Sequence, residues 1–136
     1  MKLIQATLSE SASVDSQSNQ LSIFNIIESV DIIGPLPIQF PRMTFVVVWE
    51  RENPLNSSTE ERVKCRVKVK SSLTTSSQGD EFDVVALPGQ PRVRAIMNLA
   101  GVPINAVGVN EVIVEVQDGP RWKKAASVSF LVTASE

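Results

Sequence analysis

The stretch Arg62-Val63-Lys64-Cys65-Arg66-Val67-Lys68-Val69-Lys70 alternates cationic and apolar residues without a break. Successive side chains of a β-strand point to opposite faces, so this pattern predicts a strand with Val63, Cys65, Val67 and Val69 on a core and five cations in water. Two later segments repeat the pattern. Glu111–Gln117 turns Val112, Val114 and Val116 to one side, and Ser127–Thr133 does so with Val128, Phe130 and Val132. Between them stands Asp118-Gly119-Pro120, an Asp-Gly turn signal that predicts a hairpin, with Pro120 pointing to a loop longer than two residues.

Further strands are predicted at Leu3–Leu8, Leu21–Glu28 and Met43–Glu50, with a shorter one at Glu81–Leu87 ending at Pro88-Gly89. Arg92–Leu99 reads two ways. Val93, Ile96, Met97 and Ala100 suit a helix opened near Pro91 and closed by Gly101, whereas Val93, Ala95, Met97 and Leu99 suit a strand. Its strand neighbours favour the second. The chain holds 19 Val and 10 Ile, residues whose branched Cβ fits a pleated surface better than a helix. The segments Ser9–Gln20, Glu52–Glu61 and Ser71–Asp80 are rich in Ser, Thr, Asn and Gln and read as surface connections. With 136 residues and one core, residues 1–136 are expected to form a single antiparallel β-sandwich of seven or eight strands, immunoglobulin-like in its Greek-key order.

Thirteen Lys and Arg face fifteen Asp and Glu, a net charge of −2, so the chain lacks the overall basic character of a nucleic-acid domain. There is no His and one Cys, which excludes Ser-His-Asp and Cys-His catalysis, His-ligated zinc and an internal disulfide. Cys65 reads as a small buried hydrophobe. Asp80, Glu81 and Asp83 are the nearest approach to a calcium loop or a carboxylate pair, with Glu60-Glu61 as a second pair. Calcium wants six to eight oxygens, however, and a catalytic acid needs burial that these polar segments do not offer. With no phosphate loop and no nucleophile elbow either, the chain reads as neither an enzyme nor a cofactor protein. Residues Met1–Leu8 lack the apolar run of an export signal, and no segment is long and apolar enough for a bilayer. The expected location is the cytoplasm, without membrane association.

At Asn19-Gln20-Leu21-Ser22-Ile23-Phe24-Asn25-Ile26-Ile27-Glu28, and again at Asn98-Leu99-Ala100-Gly101-Val102-Pro103 and Gly108, the chain resembles a family of small uncharacterised bacterial β-sandwich proteins, a domain of unknown function. The resemblance spans most of the chain. It implies a β-sandwich and no activity, and it transfers no catalytic or binding residue. The closing pattern is also similar to that of immunoglobulin-like domains generally.

Three surfaces are candidates for function. The basic stripe Arg62, Lys64, Arg66, Lys68 and Lys70 could receive a polyanion, although no aromatic residue interleaves with it to stack bases. Glu111 and Glu115 could instead neutralise it, and lysines on an outer strand would also guard a sheet edge. The run Phe45-Val46-Val47-Val48-Trp49 is apolar on both faces, as an interface would be, unless other segments cover its second face. The hairpin tip places Trp122 beside Arg121, Lys123 and Lys124, anchors favoured in protein interfaces, or else Trp122 folds back over the sheet. The function expected is therefore a non-enzymatic module that binds a protein partner or a second copy of itself through Phe45, Val46, Val48, Trp49, Arg121 and Trp122. Nucleic acid or another polyanion on the basic stripe is the alternative.

Overall fold

A computed structural model describes residues 1–135, and those residues form nine strands and no helix. In chain order these are β1 (Lys2–Val14), β2 (Leu21–Ile26), β3 (Ser29–Ile33), β4 (Ile38–Glu50), β5 (Glu61–Ser71), β6 (Thr74–Ala86), β7 (Arg92–Ile104), β8 (Gly108–Asp118) and β9 (Arg121–Ser135). They build two sheets, ordered β2-β1-β4-β7 and β3-β9-β8-β5-β6, packed as a sandwich. All pairings are antiparallel except β3 with β9, which is parallel, so the expected wholly antiparallel arrangement gains one parallel edge.

Alternation assigns the core. Met43, Phe45, Val47 and Trp49 of β4 face Cys65, Val67 and Val69 of β5, joined by Val112 and Val114 of β8 and by Phe130 and Val132 of β9. Each of these strands therefore has one dry face, as the apolar/polar alternation requires. Arg92–Leu99 is a strand, and it continues to Ile104.

Several boundaries differ from the sequence expectation because polar strand residues imitate loops. Ser71–Asp80 is mostly β6, reached through a two-residue turn at Ser72-Leu73 in which Ser72 takes a φ of 59°. β6 is an edge strand, so its Thr and Ser side chains need no apolar partners. Opposite Arg66 the register skips Gly79, Asp80 and Glu81, a bulge that breaks the regular edge. The β8–β9 turn is shorter than Pro120 suggested: Asp118 pairs with Arg121 across Gly119-Pro120 alone. Gly119 takes a φ of +62° and the Pro120 ring holds φ negative, the sign pattern of a type II′ turn.

The segment Leu21–Glu28 does not run as one strand. It ends at Ile26, buries Ile27, and resumes as β3 on the opposite sheet. Ser9–Gln20 likewise is not one loop, since β1 continues to Val14 and pairs there with β2. β1 runs along β4 from Glu50 to Thr44, so a straight continuation would carry the β1–β2 hairpin away from Val48. Instead its tip reaches back: the Asn19 carbonyl accepts a hydrogen bond from Arg94, which lies opposite Val48. The hairpin is therefore folded across the outer face of its own sheet. Thr44 donates to the Glu10 carbonyl at 3.3 Å at its root, and Thr44 and Val46 lie buried on that outer face.

Candidate interaction surface

β5 is an interior strand between β8 and β6, so its cations lie within the outer face of the five-stranded sheet and do not guard an edge. Their neighbours are acidic. Arg62 lies 3.5 Å from Glu60 and 3.3 Å from Asp83. Arg66 donates through Nε to Glu115 at 2.8 Å, and Lys68 Nζ stands 3.0 Å from the same oxygen. Lys70 is paired in register with Glu111, which Lys124 approaches at 4.0 Å. Burial by itself would raise the Glu115 carboxyl, but the hydrogen bonds and charges of Lys68 and Arg66 outweigh it and hold the group below its ordinary range. Lys64 and Lys70 make no ion pair among the described residues.

The same face receives Trp122. Gln117 pairs with Trp122, and the Trp122 ring lies 4.2 Å from the Arg66 guanidinium carbon, a cation–π contact that brings two separate sequence candidates into one site. An aromatic side chain thus does interleave with the stripe, contrary to expectation, because Trp122 extends from β9 across β8 to Arg66. Trp122 is half-buried against the sheet, while Arg121 and Lys123 stay exposed and Lys123 lies 3.5 Å from Asp118.

The β4 run divides by face. Phe45 and Trp49 point into the core and are inaccessible, so they offer nothing to a partner. Val46 is on the outer face but covered, and only Val48 stays partly open, on the floor of a groove of about 530 Å³ with Gln5, Leu21, Arg92 and Arg94. The second apolar face is closed by the chain's own hairpin.

Asp80 lines a groove of about 440 Å³ between β6 and β7, with Phe82, Met97 and Leu99, while Asp83 turns to Arg62. Among the described residues no three His, Cys, Asp or Glu side chains converge as a metal site would require. Burial, and then the Asp83 charge, push the Cys65 thiol up to about 12.

One residue escaped the sequence reading. Arg51 is fully buried; its Nε donates to the Gln90 carbonyl at 2.7 Å and its Nη2 to those of Leu87 and Ala86 at 2.8 and 3.2 Å. Position 51 shares the parity of Met43, Phe45, Val47 and Trp49, and that was the available signal.

No family model and no curated protein matches the chain. Among solved structures it is similar to the soluble domain of PmoD from Methylocystis sp., with 10% identity over 96% of each chain and a TM-score of 0.34, a likeness that carries no functional argument. No helix among the described residues is long and apolar enough to cross a membrane.

Proposed function

We propose that this domain is a non-enzymatic binding module that engages a protein partner through the outer face of its five-stranded sheet, centred on Trp122 and Arg66. The observation that carries the reading is the Trp122–Arg66 contact inside a charge-balanced surface. Trp and Arg are the side chains most enriched among energetically dominant interface residues, and a rigid pair of them costs little ordering on association. Glu115, Glu111 and Asp83 break up the positive field, which suits a protein surface of mixed charge better than a phosphate backbone. We also read the strand order as immunoglobulin-like: β4 beside β7 in one sheet, with β5, β8 and β9 adjacent in the other, matches the Greek-key wiring of such sandwiches. A bacterial, cytoplasmic setting and membership of the resembled family complete the reading.

Lys64 and Lys70, which make no ion pair among the described residues, favour polyanion binding as the second reading. Affinity capture of the tagged protein from its own cells, with and without nuclease, separates the two. A stoichiometric protein that survives nuclease and is lost from Trp122→Ala supports the first reading. Complete loss of partners after nuclease, with steep weakening in salt, favours the second. Self-association is checked by the mass in solution of the protein and of Trp122→Ala. A dimer that becomes monomeric assigns the face to a second copy.

A further inference from the structure

We propose that the groove beneath the folded-back β1–β2 hairpin is a binding site for a small organic anion, one with an oxyanion head and a short apolar body. The site lies on the opposite sheet from the Trp122 face and is independent of it.

Its shape comes from the fold-back. Leu21 and Asn19 of the hairpin form one wall, the Val48 side chain and Gln5 form the floor, and Arg92, Arg94 and Gln90 form the other wall. Gln5, Val48 and Arg94 stand in one row across β1, β4 and β7, since Gln5 pairs with Val48 and Val48 with Arg94. The hairpin tip is closed by its own hydrogen bonds and tied to β7 by one more. Asp15 accepts from the backbone N–H groups of Gln17 and Ser18 at 2.9 and 2.7 Å, and Asn19 accepts from Arg94. At about 530 Å³ the space is of the size that holds small molecules, which typically occupy roughly 300–1,000 Å³.

Its chemistry selects an anion. Arg92 and Arg94 are two residues apart on one strand face, which sets them about 6.7 Å apart. Arg92 gives its Nε to Glu50 at 2.8 Å, and that leaves both terminal amino groups for another acceptor. Arg94 uses Nη2 on Asn19 and retains Nε and Nη1. Asn19, Gln5 and Gln90 add side-chain amide donors, and among the described residues no carboxylate is part of the lining, Glu50 meeting Arg92 at Nε alone. Planar guanidinium forks of this kind match the oxygens of a carboxylate or phosphate. Val48 and Leu21 supply the apolar surface that an inorganic ion would not use, while Val93 turns to the core opposite Trp49. On the five-stranded sheet, by contrast, Glu115 alone engages both Arg66 and Lys68.

The test is an amide NMR titration of the whole chain with phenyl phosphate, benzoate and inorganic phosphate in separate arms. The expected result is saturable shifts at Gln5, Arg92 and Arg94, with phenyl phosphate or benzoate at least tenfold tighter than inorganic phosphate. The aromatic probe that wins identifies the head group as phosphate or carboxylate. Arg92→Gln should weaken binding at least fivefold. Because Arg94→Gln could release the hairpin, Val48→Glu serves as the second variant: it keeps both arginines, places a carboxylate on the floor, and should weaken binding at least tenfold. Trp122→Ala should leave the titration unchanged. Equal affinity for all three anions, shifts that persist in Val48→Glu, or no saturation in any arm would overturn the proposal.

Discussion

Arg51 Nη1 lies 3.5 Å from Glu61 Oε1, joining a guanidinium that solvent does not reach to a carboxylate on the first residue of β5. The remaining nitrogens of the fork donate to three carbonyls of the segment Ala86–Gln90, so a single cation ties the end of β4 to the β6–β7 connection. Removing the guanidinium leaves these carbonyls without their donor, at a cost of roughly 1–3 kcal/mol for each one that water does not reach. Arg51→Met should therefore lower the unfolding free energy in urea by about 3 kcal/mol. Arg51→Lys should recover little of it, because an ammonium cannot present three donors in one plane. A loss under 1 kcal/mol for Arg51→Met would show that the carbonyls find water instead.

Glu115 gives the protein an acid-sensitive contribution. Its carboxyl is held below the ordinary value of 4.5 in the folded chain, so its stabilisation is complete above that value and fades as pH falls through the folded pKa. Glu115→Gln should be less stable than the parent at pH 7, and the two should converge as pH drops below about 4.5. Parallel stability curves across that range would show that the Arg66 and Lys68 contacts contribute nothing.

The Cys65 thiol should be inert in the folded protein. With its pKa pushed up to about 12, the thiolate fraction at pH 8 is negligible, and the sulfur is enclosed by the core. An aromatic disulfide reagent should titrate no thiol in native buffer and one thiol per chain in denaturant.

Trp122 and Arg66 should show coupling. A stacked guanidinium contributes about 0.5–1 kcal/mol at a partly exposed site. The double-mutant cycle of Trp122→Ala and Arg66→Ala, read by thermal unfolding, should return a coupling energy of that order. A value within error of zero would leave Trp122 as a bystander on the sheet.

Gly119→Ala probes the two-residue turn between β8 and β9. A φ of +62° strains an L side chain, and the variant should lose about 1 kcal/mol, while the space around the site stays open. A larger loss would mean that the β8–β9 register slips with the turn.

The interior strands were readable from residue order because each has one dry and one wet face. In β5, β8 and β9, Val63–Val69, Val112–Val116 and Val128–Val132 alternate as burial demands, and the Asp118-Gly119 signal located the hairpin between β8 and β9. The polar strands were not readable. Ser9 is buried but polar, Glu10–Val14 leads into a hairpin of mostly polar side chains, and Thr74–Asp80 lies on an edge, so backbone pairing largely holds these strands and no apolar period is imposed.

The residue order by itself determined the class of fold, the core residues on alternating strands and the absence of histidine chemistry, since each follows from side-chain type and a spacing of two. Tertiary structure decided the surfaces. It stacked Trp122 on Arg66 across β8, paired the basic stripe with Glu115 and Asp83, folded β1–β2 over Val46, and set Arg94 against Asn19, 75 positions away. Contacts between strands remote in sequence depend on sheet order and on the direction a hairpin takes after leaving its sheet. Local periodicity carries neither.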